Sequence, residues 1–93
     1  MSSRPLKQEE IVAIFAVWAA TGGDIHAHQP IGFIRRKFEK SLKSHAKKIL
    51  EETARHPEQY IIKHKNRDTT YMITLAGIKV LEDQGMITKR RSG

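Results

Sequence analysis

Apolar residues recur every three or four positions near the start of the chain, a spacing that places them on one side of a helix. The predicted buried stripe consists of Ile11, Ile14, Phe15 and Trp18. Pro5 suits the first turn of such a helix, and the run Thr21-Gly22-Gly23 is expected to end it. The pattern therefore predicts a first helix that supplies a large part of the core.

Val12 and Val17 lie outside this stripe, so the first helix is apolar on more than one side. Two explanations stay open. Either the helix is the central element of the core and the other helices surround it, or it also contacts a second copy of the chain. A homodimer is therefore one of the two arrangements that the pattern favours.

The middle of the chain contains two amphipathic segments with no glycine or proline between them. They follow a loop at residues 24–29, in which residues 25–27 are a candidate short strand. Pro30 opens the first segment, where one side holds Ile31, Ile34, Phe38 and Leu42. The second segment, residues 44–55, has Ser41 and Ser44 as candidate caps and a buried side formed by Ala46, Ile49, Leu50 and Thr53. One continuous bent helix is the alternative.

A β-hairpin is predicted next, because two β-branched and aromatic runs, residues 60–65 and 70–73, flank the polar residues 66–69. Ile62 and His64 alternate with Lys63 and Lys65, so one face is expected to pack inward and the other to be presented. Thr74 then caps a last helix at residues 75–84, and Gly85 ends it.

The run Tyr71-Met-Ile-Thr74-Leu-Ala-Gly77-Ile-Lys-Val-Leu81 resembles the motif that closes the wing in MarR- and PadR-type transcriptional regulators, with Ile73 where leucine is usual. The resemblance extends over residues 49–87. It implies an α+β, mostly helical winged helix-turn-helix fold, with three helices, a two-stranded β-wing and a C-terminal helix. Residues 1–93 would form a single domain, with residues 1–4 and 89–93 as flexible tails.

The resemblance also implies which residues bind DNA. The helix at residues 44–55 would be the recognition helix, and the hairpin would contact phosphates or the minor groove. The candidate DNA-binding residues are Lys43, Ser44, His45, Lys47, Lys48, Arg55, Lys63, Lys65 and Arg67. Glu51 opposes this role because a carboxylate repels phosphate. The alternative is a solvated helix face with Lys47–Glu51 and Lys48–Glu52 pairs, and a hairpin edge whose lysines prevent aggregation.

The charge of the chain is consistent with a polyanionic partner. The net charge is +7, and residues 30–93 hold fifteen basic and seven acidic residues, a net +8. The expected function is that of a sequence-specific or semi-specific double-stranded DNA-binding protein, a small prokaryotic, archaeal or viral transcriptional regulator. The alternative is a winged-helix interaction module that binds an acidic protein or RNA.

Other functions find little support in the sequence. Without cysteine the chain has no disulfide, thiolate metal site or cysteine nucleophile, and it contains no phosphate-binding glycine loop or catalytic motif. His26 and His28 form only a weak His-x-His signal. We therefore expect no enzyme activity, metal, cofactor or small-molecule ligand. The longest apolar run, Ile11 to Ala20, is half a membrane span, and no signal-peptide pattern is present, so a cytoplasmic protein without membrane contact is expected.

Overall fold

Four α-helices and one three-stranded antiparallel sheet form the part of the chain that a computed structural model describes, residues 5–65 and 67–88. The fold is therefore α+β, and about half of the chain is helical rather than most of it. The elements are α1 (Gln8–Thr21), β1 (His28–Pro30), α2 (Ile31–Arg35), a 3₁₀ helix (Lys40–His45), α3 (Ala46–Ala54), β2 (Ile61–Lys65), β3 (Thr69–Ile73) and α4 (Leu75–Asp83).

The predicted hairpin is confirmed, and a third strand completes the sheet in the order β1-β3-β2. This third strand lies at His28–Pro30, so its predicted position at residues 25–27 was wrong. The backbone N–H of His26 donates to Asp24 Oδ1 at 2.8 Å, which forms a local turn where the strand was expected. Pro30 is tolerated in β1 because β1 is an edge strand.

Helix α1 begins at Gln8, so the prediction that Pro5 lies in its first turn was wrong. The start is fixed by Glu10, whose Oε1 accepts a hydrogen bond of 2.9 Å from the backbone N–H of Lys7. The predicted end is confirmed. Gly22 adopts a left-handed conformation with φ of 68°, and the N–H of Gly23 donates to the carbonyl of Trp18.

Helix α1 is the central element of the core. Val12 and Val17 are buried within the single chain, as are Ile11 and Ile14 of the predicted stripe, whereas Phe15 and Trp18 are only partly buried and pack against the core. The helix packs against α2, α3, α4 and strand β3. Because Val12 and Val17 are buried by the chain itself, the apolar second side of α1 is explained without a partner. A homodimer stays a prediction, but the apolar second side of α1 no longer supports it.

The chain leaves helical geometry between α2 and α3, so the single bent helix is wrong. Turn hydrogen bonds from Lys37 to Ile34 and from Phe38 to Arg35 follow α2, and the 3₁₀ helix then leads into α3. Helix α3 begins at Ala46 rather than at residue 44, and His45 is its N-cap residue without a side-chain cap. Phe38 is buried beyond the end of α2, which indicates that core packing sets this break rather than a local breaker.

The junction of the hairpin with α4 follows the predicted local signals. Thr74 Oγ1 accepts from the N–H of Gly77 at 3.1 Å and donates to the carbonyl of Gln59 at 2.7 Å, so one hydroxyl caps α4 and ties it to the start of the hairpin. The helix ends at Asp83, one residue before the predicted end, and Gly85 follows with φ of 71°.

None of the helices within residues 5–65 and 67–88 is long and apolar enough to cross a lipid bilayer. The segments predicted as tails, residues 1–4 and 89–93, lie outside the described residues, and so does Asn66 of the predicted turn.

Candidate nucleic-acid interface

Helix α3 buries one side and exposes the other, as its periodicity predicts. Ala46, Ile49, Leu50 and Thr53 are buried, and the Thr53 hydroxyl bonds back to the carbonyl of Ile49 at 2.7 Å. The exposed side carries the candidate residues Lys47, Lys48 and Arg55, with Ser44 and His45 in the preceding 3₁₀ helix. Lys43 is partly buried there. The core contacts of α3 thus leave Lys47 and Lys48 on the helix, and Arg55 at its C-cap position, exposed to solvent.

Strand β2 lies against α3 and brings a fourth cation to the same place. Lys63 Nζ is 3.2 Å from Glu51 Oε2, although the two residues are far apart in sequence. Glu51 therefore pairs with Lys63 of the hairpin. The solvated-face alternative instead predicts a pair between Glu51 and Lys47. We call Lys47, Lys48, Glu51, Arg55 and Lys63 the α3–β2 surface. One ion pair joins its helix to its strand.

The carboxylate of Glu51 lies in a positive environment. The hydrogen bond and charge of Lys63 lower the pKa of the Glu51 carboxyl; desolvation opposes this, and the charges of Lys47 and Arg55 lower the pKa further. Glu51 therefore stays ionised at neutral pH. Four cations against one carboxylate leave the α3–β2 surface with a net positive charge.

The other two hairpin cations lie in a different place. In the antiparallel register Lys63 is opposite Tyr71, while His64 is opposite Thr70 and His28 is opposite Met72. Side chains alternate between the two faces of a sheet, so these histidines project from the face opposite Lys63. Lys65 and Arg67 line a cavity together with them. Lys63 therefore contacts α3, whereas Lys65 and Arg67 lie near the hairpin turn beside the histidines, a separation that the sequence did not indicate.

His26 and His28 do not share a strand face, because His26 lies in the turn before β1. Among residues 5–65 and 67–88, no group of three or more histidine, aspartate or glutamate side chains is arranged to hold a metal ion.

Tyr71 lies beneath the α3–β2 surface on the inner face of the sheet. Its ring is fully buried, and its hydroxyl has no hydrogen-bond partner among the described residues. Burial raises the pKa of Tyr71 to about 12; the charge of Glu51 acts in the same direction and that of Arg55 against it. These influences place the phenol close to the charged residues of α3.

Replacing Tyr71 by phenylalanine is expected to leave the free energy of unfolding at neutral pH unchanged or to raise it by about 1 kcal/mol, because an unpaired buried hydroxyl is removed. The native protein should lose stability above pH 10, where an unfolded tyrosine ionises, while Tyr71 stays neutral up to about 12 in the folded chain. The Tyr71→Phe variant has no phenol at this position, so it should not show this part of the alkaline loss of stability. Urea unfolding at neutral and alkaline pH measures both effects.

A residual alkaline loss is expected in the Tyr71→Phe variant, because burial also raises the pKa of Tyr60. A decrease of more than about 1 kcal/mol at neutral pH would contradict the prediction, since it would mean that the Tyr71 hydroxyl makes a native hydrogen bond.

The α3–β2 surface suits the binding of anions. Lysine and arginine donate charge-assisted hydrogen bonds to phosphate oxygens, and arginine can also contact a guanine edge. Comparisons with protein-family models, with curated proteins and with solved structures give no match, so the case for a function depends on the geometry of this chain.

Proposed function

We propose that this protein is a winged helix-turn-helix transcriptional regulator that binds double-stranded DNA. Support comes first from the order of the elements, in which a β-hairpin directly follows the third helix and a short strand before α2 completes the sheet. In such a fold α3 enters the major groove and the hairpin lies beside it as the wing. The proposal thus gives each side of the α3–β2 surface a distinct role.

The observation that carries the proposal is the α3–β2 surface itself. Helix α3 has nine residues, so it is about 13 Å long at ~1.5 Å per residue. Its apolar side is anchored in the core, and in the part of the chain that the structure describes Lys47, Lys48 and Arg55 are exposed. The major groove of B-DNA is about 12 Å wide and accepts one such helix.

Glu51 has a role in this proposal although it repels phosphate. In the free protein its ion pair with Lys63 holds the lysine at the junction of helix and hairpin. Lys63 is 33% exposed and Glu51 is 32% exposed, so the pair is accessible to an approaching phosphate. An exposed ion pair contributes little to stability, and a phosphate can therefore replace the carboxylate at small cost.

A titration of duplex DNA at increasing salt tests the proposal. Between four and six phosphate contacts should give a slope of log affinity against log salt of roughly −4 to −5, at about −0.9 for each neutralised phosphate. Fluorescence anisotropy with a labelled duplex measures this slope. Absence of binding to any duplex at about 50 mM salt would refute DNA binding.

Double-stranded RNA of the same length is the matched competitor. Its major groove is too deep and narrow for side chains to read, so α3 cannot enter it as it enters DNA. We expect the RNA to bind more weakly by about tenfold or more. Equal affinity for both duplexes would instead favour the alternative, a winged-helix module for RNA or an acidic protein.

A further inference from the structure

Two histidines face each other across the central strand of the sheet. His28 on β1 and His64 on β2 flank β3, and their ring centroids are 6.0 Å apart with the ring planes tilted by 36°. Both side chains are exposed. They lie 36 positions apart in the chain, so only the sheet brings them together.

These histidines line a cavity of about 620 Å³ at the tip of the hairpin, the His28–His64 cavity. Lys65, Arg67 and Thr70 also line it, together with the acidic residue Asp68. The permanent charges are thus two cations and one anion, before either imidazole takes up a proton. Each of these groups except Asp68 can donate a hydrogen bond to an oxyanion.

We propose that the His28–His64 cavity binds a phosphate group and that binding takes up protons at the two imidazoles. Lysine and arginine supply permanent charge, the threonine hydroxyl supplies a neutral donor, and each imidazole supplies a donor that becomes charged on protonation. A divalent metal ion is disfavoured in the same space, because Lys65 and Arg67 repel it, and among the described residues the two imidazoles and Asp68 are not arranged to hold a metal ion together.

The coupling to protons follows from linkage. Histidine is the side chain whose charge normally changes between about pH 5 and 8. A bound phosphate adds negative charge beside both imidazoles, which lie near Lys65, Arg67 and Asp68, so it favours their protonated forms. The complex therefore holds more protons than the free protein. Acidification therefore strengthens binding.

The site stands independently of the proposed function, because no residue of the α3–β2 surface lines the cavity, and His28 and His64 lie on the sheet face opposite Lys63. The phosphate could come from free phosphate or from the backbone of a nucleic acid that passes over the hairpin tip. Both sources offer the same oxyanion, and different arms of one experiment distinguish them.

The experiment follows the imidazole signals of the ¹⁵N-labelled full chain by NMR during titration with inorganic phosphate at about pH 6 and about pH 8. Phosphate itself changes charge between these two pH values, whereas sulfate does not. Sulfate therefore serves as the reference that separates protonation of the imidazoles from protonation of the ligand. We expect the signals of His28 and His64 to shift together and the affinity to be about tenfold higher at the lower pH, for sulfate as well as for phosphate. His26 is the matched control, because it is exposed in the turn before β1.

The variant H28Q/H64Q should bind phosphate about tenfold more weakly and lose the pH dependence, while H26Q should behave as the native chain does. Both substituted side chains are exposed, and the native signals test the site without any variant. Equal shifts at His26, or no shifts at His28 and His64, would overturn the proposal. So would tighter binding of Zn²⁺ than of phosphate to this pair.

Two further arms of the experiment distinguish free phosphate from the nucleic-acid backbone as the ligand, and separate the cavity proposal from the DNA-binding proposal. In a variant with Lys47, Lys48 and Arg55 replaced by alanine, the phosphate shifts should persist even if DNA binding is lost. Addition of duplex DNA to the native chain should shift His28 and His64 if the backbone supplies the phosphate, and should leave them unchanged if free phosphate is the ligand. Loss of phosphate binding in the α3 variant would overturn the separate site.

Discussion

Replacing Lys47, Lys48 and Arg55 together by alanine is expected to lower the affinity for duplex DNA by about a hundredfold, at about 1 kcal/mol for each exposed charged contact. The slope of log affinity against log salt should become shallower by about 2 to 3, because up to three phosphate contacts are lost. All three side chains are exposed on α3, and alanine favours the helix, so the fold should persist. Anisotropy titrations at several salt concentrations measure both changes.

The matched control is Lys79→Ala, which removes an exposed lysine from α4, outside the α3–β2 surface. It should change DNA affinity by much less than Lys47→Ala does. Equal losses from the two single variants would show that net charge alone drives binding, and the α3–β2 surface would then have no special role.

Glu51→Gln should change the affinity in the opposite direction. It removes the carboxylate from the α3–β2 surface and releases Lys63 from its 3.2 Å ion pair, so we expect DNA to bind several-fold more tightly. Asp83→Asn removes an exposed carboxylate at the end of α4 and serves as its control. Tighter binding in both variants alike would again indicate a general charge effect.

A preferred duplex and a random duplex distinguish contacts to bases from contacts to the backbone. Loss of Lys63 should weaken binding to both duplexes equally, because phosphate contacts carry no sequence information. Changes at Lys47, Lys48 or Arg55 should also reduce the preference if one of these side chains reaches a base edge. If changes at Lys63 and changes at the α3 residues both lower the affinity for the two duplexes equally, the protein binds DNA without sequence specificity.

The parts of this fold that the sequence predicts well are those set by local chemistry. Thr74 caps α4, Gly85 follows its end, and the polar turn places β2 and β3 in a hairpin. The buried side of α3 follows from its 3.6-residue period because one side of that helix packs on the core. The candidate cations of α3 were found for the same reason, as the residues on its opposite side.

Non-local packing decides what the sequence could not predict. Strand β1 exists because three residues pair with β3 forty or more positions later, and nothing within residues 25–30 indicates which three. The break after α2 has no glycine or proline between it and α3, so no local signal marks it. Helix α1 is surrounded by other elements, and its apolar period therefore does not reveal which side is the more buried.

The position of Lys63 beside α3, with His64 on the opposite face, depends on a single position in the register. Ile61 is fully buried opposite Ile73, so Lys63 shares the inner face and reaches α3. If Ile62 were the buried anchor instead, Lys63 and His64 would exchange faces. The alternation of residues 62–65 was visible in the sequence, but it did not indicate that the face shared by Ile61 and Lys63 packs inward. The pairing of His28 with His64 follows from the same register.

Replacing Gly77 by alanine is expected to destabilise the protein by about 3 kcal/mol, although alanine normally favours a helix by about 1 kcal/mol. A Cβ at this position would collide with the carbonyl oxygen of Tyr60 and would lie 2.8 Å from Cδ1 of Ile73. The Tyr60 carbonyl cannot easily move, because it accepts a hydrogen bond of 3.2 Å from the backbone N–H of Thr74 and lies 3.0 Å from the Thr74 hydroxyl, whose proton it shares with the carbonyl of Gln59. Relief of the collision would therefore separate α4 from the hairpin.

Gly32→Ala in α2 is the matched control, since a Cβ there has no other atom within 4 Å. It should leave stability unchanged or raise it by up to about 1 kcal/mol, which is the ordinary helix preference without a collision. Urea unfolding of both variants measures the change in the free energy of unfolding, which should have opposite signs in the two. A Gly77→Ala variant as stable as Gly32→Ala would show that α4 can shift away from Tyr60 at no cost. The hairpin would then not be held rigidly against the domain, and Lys63 would lose the fixed position beside α3 on which its proposed phosphate contact depends.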